Sequence, residues 1–147
     1  MKHIFAVLTV ILIFFVLPDK GIPKEVILIA NKDVEAKSFD EQTLHRIYHG
    51  KKKQWGDRNK IVPVMLKSGE THETFIEEIL KETVYKFMTY WKQMVFTGRG
   101  LPPKALETEK EVVDFVALTS GAIGYISELP DSTLATVRLI SLSIAEE

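Results

Sequence analysis

Ser120-Gly121-Ala122-Ile123-Gly124-Tyr125-Ile126 reads as a strand that starts on a glycine turn and carries a second glycine at its centre. Ala122 to Ile126 is apolar without alternation, the pattern of a strand covered on both faces. Gly121 permits the tight turn, and Gly124 lets another element approach closely. Just upstream, Thr108 can cap a helix whose Val112, Val113, Phe115 and Val116 point inward, and Ser120-Gly121 ends it. A helix delivered straight into a buried strand is the unit from which α/β folds are built.

Working outward, the same alternation recurs. Glu25 to Ala30 is a short apolar run that reads as a buried strand, ended by Asn31-Lys32-Asp33. Ser38 to Glu41 has the spacing of a capping box, and Leu44, Ile47 and Tyr48 then share one helical face, closed by Gly50. Trp55 to Asn59 is turn-like. Ile61 to Leu66 reads as a second strand, with Pro63 marking an edge or a strand start. Lys67 to Glu70 turns into a helix carrying Phe75, Ile76, Ile79 and Leu80. Another helix runs from about Thr83 to Phe96, with Tyr85, Phe87, Met88, Trp91 and Val95 supplying bulk, and Thr97 to Pro103 breaks it. Ala135 to Leu142 reads as a final strand. The expectation is an α/β domain, a mixed sheet flanked by helices, over residues 21–147.

Residues 1–20 stand apart. Met1-Lys2-His3 precedes an apolar run from Ile4 to Leu17, broken only by Thr9 and followed by Pro18-Asp19-Lys20. That run is shorter than the roughly 20 residues of a spanning helix and has the length and flanks of a signal-peptide core. No Ala-x-Ala site follows it, so both a cleaved signal peptide and a retained N-terminal membrane anchor fit. Either implies a periplasmic or other extracytoplasmic protein, in the second case tethered to the inner membrane. Hydrophobic residues at 46% and charged residues at 27% exclude disorder and a polytopic membrane protein. A net charge of -1 carries no nucleic-acid signature, and zero cysteines exclude disulfides, thiolate metal sites and a cysteine nucleophile.

Motifs for catalysis are missing. There is no nucleophile elbow, dinucleotide fingerprint or phosphate loop, and His72-Glu73 lacks the second histidine of a zinc-protease helix. His45 and His49 lie four apart on a predicted helix, a spacing that suits a metal, but no third ligand stands beside them. Neither enzyme activity, nor a metal, nor a cofactor is expected. Three junctions offer anion chemistry instead: Asn31 after the first strand, Lys67-Ser68-Gly69 with Thr71 opening one helix, and Thr97-Gly98-Arg99-Gly100 before another. Unpaired amides and the positive dipole at a helix N-terminus make an anion cradle, and Lys67 or Arg99 would add charge.

Leu44 to Trp55 (LHRIYHGKKKQW), Ile61-Val62-Pro63-Val64, Val95 to Pro103 and Ser120 to Tyr125 stand in an order that resembles the periplasmic phosphate-binding proteins of ABC importers. The likeness covers roughly residues 25–127 and is similar to short, single-domain members of that group. It implies a type II solute-binding fold, reduced to one lobe with a crossing strand, and a small anion such as phosphate as ligand, without catalysis. A membrane transporter or another envelope protein would be the partner. The expected anion ligands are Ser68, Gly69, Thr71, Thr97, Arg99 and Asn31. Two departures bear on this. Members are about twice as long, and their anion motif is an arginine followed four residues on by Ser-Gly-Thr. Aligning on Phe75 puts Met65 over the arginine and Gly69-Glu70-Thr71 over Ser-Gly-Thr. A missing bidentate arginine and a carboxylate where an anion approaches both weaken phosphate binding. The alternative is therefore an interaction or adaptor module on the membrane surface that has lost phosphate binding.

Overall fold

A computed structural model describes residues 25–143; the apolar run of the first 20 residues, with its signal-peptide or anchor reading, lies outside them. Six strands form one mixed sheet in the order β2-β6-β1-β5-β3-β4. They are β1 (Ile27–Asn31), β2 (Ser38–Asp40), β3 (Val62–Leu66), β4 (Lys104–Leu106), β5 (Ala122–Ile126) and β6 (Val137–Ser143). The helices are α1 (Glu41–Tyr48), α2 (Glu70–Thr74), α3 (Val84–Phe96) and α4 (Glu109–Leu118). A π-helical turn, Phe75–Ile79, continues α2, and a 3-10 turn, Asp131–Ala135, leads into β6.

β1 and β5 sit in the middle of the sheet, as their unbroken apolar sequences require. β1 runs antiparallel to β5, with Ala30 opposite Ile123, and antiparallel to β6, with Leu28 opposite Ile140. β3 joins β5 in parallel, Val62 beside Ala122. Pro63 stands near the start of β3, where the expected strand start places it; β3 is not an edge, since β4 covers its other side from Val64 to Leu66. Gly124 allows α4 to press on the sheet. A Cβ there would meet Val112 Cγ1 at 2.8 Å and Val64 Cγ2 at 2.9 Å, so only glycine lets helix and strand approach this far. Gly121, at φ 73°, has the Lys60 carbonyl oxygen in its missing side-chain position and accepts the Trp55 indole N–H at 3.0 Å. Asp33 locks that turn to the end of β1 by accepting from the Ser120 hydroxyl and the Gly121 amide.

The end of α1 shows how the aromatic residues organise the fold. A helix leaves its last carbonyls without intrahelical donors. Here the Trp91 indole donates to the Tyr48 carbonyl at 3.2 Å, the Tyr90 hydroxyl to His49 at 2.7 Å, and the Lys51 and Lys52 amides to Arg46. The Tyr48 hydroxyl donates in turn to the Val64 carbonyl of β3 at 3.0 Å, through a cluster in which Phe75 stacks on Tyr125.

Several expectations need correction. Asp40, not Ser38, caps α1, by accepting the Thr43 amide; Ser38 is drawn into β2 by its pairing with Ser141 of β6. On α3 only Phe87 and Trp91 are fully buried, with Val84, Tyr90 and Met94 packed half-buried against the core. Tyr85 is 82% exposed, and Met88 and Val95 also face outward. The Thr97 to Pro103 segment leads into β4 rather than a helix. Among the described residues no helix is long and apolar enough to cross a membrane.

Candidate functional site

The expected anion residues divide between opposite ends of the sheet. Ser68, Gly69 and Thr71 follow the C-terminal end of β3, whereas Asn31 ends β1 beside Val137, level with the N-terminal end of β5. Five residues of strand separate the two ends of β3, about 15 Å. Asn31 is engaged within the fold. Its amide donates to the Val116 and Ala117 carbonyls at 2.9 and 3.1 Å, satisfying the end of α4.

At the Ser68–Thr71 junction, Gly69 is the N-cap of α2 at φ 101°, and no side chain caps the helix. Thr71 does not hold a hydroxyl ready for a ligand. It donates to Glu109 Oε1 at 2.9 Å, and the same carboxylate accepts the Ser127 hydroxyl at 2.7 Å and the Ser127 amide at 2.9 Å. Burial alone would raise the Glu109 pKa, but the hydrogen bonds from Ser127 and Thr71 outweigh it and hold the carboxyl below its ordinary range. The chain thus places its own carboxylate where a helix N-terminus and two hydroxyls converge. Lys67 beside it is paired with Glu107 at 2.8 Å.

Thr97 and Arg99 belong to a third place. Gly98, at φ 67°, lets the chain curl back so that the Thr97, Gly98 and Arg99 amides bond the Gln93, Val95 and Met94 carbonyls. This is the C-terminal closure of α3, the negative end of the helix dipole rather than the positive end expected from the sequence. Beyond it, Arg99 lines a cleft of about 590 Å³ at the N-terminal ends of β3 and β4. Lys52, Lys53, Lys60 and Lys104 share that lining with Arg99, and no acidic residue does. None of the five has an ion-pair partner among the described residues. Trp91, Met94, Pro102, Pro103 and Phe115 form the apolar part, with the Lys104 ammonium 4.8 Å from the centre of the Phe115 ring. Two connections build this charge, one from α1 to β3 and one from α3 to the start of β4. Of its cations, only Arg99 stands among the binding residues expected from the sequence.

No protein-family model and no curated protein matches the sequence. Solved structures do. An ABC-type phosphate transport receptor from Vibrio cholerae superposes with a TM-score of 0.59 at 14% identity, over 82% of this chain and 47% of that one. PstS from Borrelia burgdorferi gives 0.63 at 15% identity, over 83% and 48%. A protein of Clostridium perfringens solved with bound phosphate gives 0.60 at 20% identity, over 80% and 44%. The chain spans less than half the length of each. Its fold is that of the phosphate ABC transporter substrate-binding proteins, as the resemblance in the sequence implied.

Proposed function

We propose that this chain is an extracytoplasmic, non-catalytic binding domain that takes a small oxyanion of the phosphate class, and that the anion docks in the cationic cleft. The observation that carries the reading is that lining: five cationic side chains, no carboxylate, and a concave apolar floor. Such a wall concentrates anions and excludes cations. Arg99 contributes the planar fork that matches a phosphate or carboxylate, in place of the arginine absent at Met65. The fold likeness to phosphate receptors supports the ligand class. Ser68, Gly69 and Thr71 are the second place such an anion would dock, at the N-terminus of α2, once the Glu109 carboxylate is displaced. A membrane transporter would be the downstream partner of a binding domain of this kind.

Calorimetric titration of phosphate, sulfate and small carboxylates separates the two places. Docking in the cleft predicts heat in wild type that falls at least tenfold in affinity in Arg99→Ala and Lys104→Ala, with Glu109→Gln unchanged. Affinity that rises in Glu109→Gln and Glu70→Gly but ignores Arg99→Ala moves the ligand to α2.

The adaptor reading also has an observation behind it. Phe96 and Leu101 are 92% and 80% exposed at and just after the end of α3, and the Glu109 carboxylate fills the cradle that a ligand would use. No heat from any anion, together with pull-down of an envelope protein lost in Phe96→Ser, favours that alternative.

A further inference from the structure

His45 and His49 lie four residues apart at the end of α1, with their rings stacked at 3.8 Å between centroids. The third group that the sequence did not supply arrives from another part of the chain. The π-helical turn widens the backbone, Lys81 adopts φ 56°, and the Glu82 amide closes back on the Ile76 carbonyl at 3.3 Å. Glu82 Oε1 then lies 2.7 Å from His49 Nε2, with the His49 and Glu82 side chains only 4% and 5% exposed. Ligand atoms of all three residues fall within 4.8 Å of one another.

Hydrogen bonding fixes which atoms are free. His49 Nδ1 is 2.7 Å from the His45 carbonyl oxygen, which can only accept, so Nδ1 carries a proton and donates it. Nε2 is then the bare lone pair of the neutral ring, and it faces a carboxylate oxygen. Apart from that approach, Glu82 Oε1 has no hydrogen-bond partner among the described residues. Two acceptors at this separation repel each other unless a positive species lies between them. A shared proton meets the need, and so does a metal ion. An Nδ1–H held by a carbonyl is also the support that ligating histidines commonly have.

We propose that His45, His49 and Glu82 bind a divalent transition-metal ion of the zinc class, through two imidazole nitrogens and one carboxylate oxygen, with water completing the shell. Imidazole and carboxylate donors suit such ions. Donors about 2.0–2.2 Å from a tetrahedral zinc lie about 3.4 Å from each other, so an opening of the His49–Glu82 pair by somewhat under about 1 Å and a turn of the half-buried His45 ring admit the ion. Burial pushes the His49 pKa down; the bond to the His45 carbonyl works against it, and the charges of Lys51 and Lys86 add to the drop. Burial also lowers His45, with His49 adding to it, and raises the Glu82 carboxyl. The ion takes the place of the shared proton and releases it. Lys51 and Lys86 oppose the ion's charge, so micromolar rather than nanomolar affinity is expected.

Titration of Zn²⁺ into the untagged, chelator-treated full chain, in two buffers of different protonation enthalpy, tests the site. One ion per chain, release of about one proton near pH 7, and at least tenfold weaker binding in His45→Gln and Glu82→Gln are expected. Co²⁺ gives an independent reading through its visible absorption bands, which should disappear in His45→Gln. That variant changes a half-buried side chain and keeps the fold, as circular dichroism will verify, so it decides the matter even where Glu82→Gln fails to fold. Absence of Zn²⁺ heat, or Zn²⁺ and Co²⁺ binding unchanged in His45→Gln, overturns the proposal.

Discussion

Gly124 is the residue on which the packing of α4 turns. Because Val112 and Val64 already fill the space a methyl would need, Gly124→Ala forces helix and sheet apart; the expected cost is about 1–3 kcal/mol, read from the urea midpoint. His72 is a second point of control. The Tyr125 hydroxyl accepts the Leu66 amide at 3.1 Å and so donates its own proton to His72 Nδ1 at 2.7 Å, which keeps that ring neutral. Burial lowers the His72 pKa below its ordinary 6.5. The unfolded chain therefore takes up the proton first as pH falls, so stability is intact above about pH 6.5 and declines below it. Denaturation at pH 7.5 and 5.5 should show a smaller loss in His72→Gln than in wild type, the difference removing the parallel contributions of His45 and His49. The two glycines of the 120–126 stretch were legible in the sequence because a backbone need leaves few residue choices. The Tyr125–His72 bond was not, since nothing local marks partners 53 positions apart.

Helices were legible as elements, but not always by face. The apolar residues of α1 form one narrow stripe, so Leu44, Ile47 and Tyr48 could be assigned inward and are buried. α3 carries Tyr85, Phe87, Met88, Trp91, Val95 and Phe96 around most of its circumference, and periodicity cannot choose among several apolar stripes. The end of α1 chooses, through Phe87 and Trp91. Trp91 both packs against α1 and donates to its last turn, so Trp91→Ala should cost about 3–5 kcal/mol in equilibrium unfolding. Trp91→Phe keeps most of the packing and should cost the hydrogen bond alone, about 1 kcal/mol. β2 and β4 escaped notice because three residues hold no pattern. At the start of α4, Glu109→Gln leaves Thr71 and the Ser127 amide with a neutral acceptor, and an expected loss of about 1.5–3 kcal/mol should shrink as wild type is acidified toward the carboxyl's own titration.

Across the whole molecule, what sequence could not supply is assembly from distant loops. The cationic cleft joins Lys52, Lys60 and Lys104, each of which alone reads as a solvated surface charge, to Arg99. The expected anion residues, chosen by local junction chemistry, lie at two ends of the sheet for the same reason. The core is nevertheless closed by the described elements, so a chain starting at residue 21 should fold, with a cooperative unfolding transition matching the full-length protein in midpoint; a molten truncated form would place residues 1–20 inside the core.

β1, one of the two central strands, comes first among the described strands, and both of its neighbours, β5 and β6, lie far downstream. β1 pairs with β5 and β6, so its contacts span roughly a hundred positions, and β2 waits on β6 as well. Such high contact order slows folding. More to the point, no fragment that stops short of Val137 to Ser143 can complete the sheet. The connectivity that fills the middle of the sheet therefore leaves the hydrophobic faces of β1 and β2 without their partner until β6 has been made, so a growing chain must be kept from premature association over most of its described length.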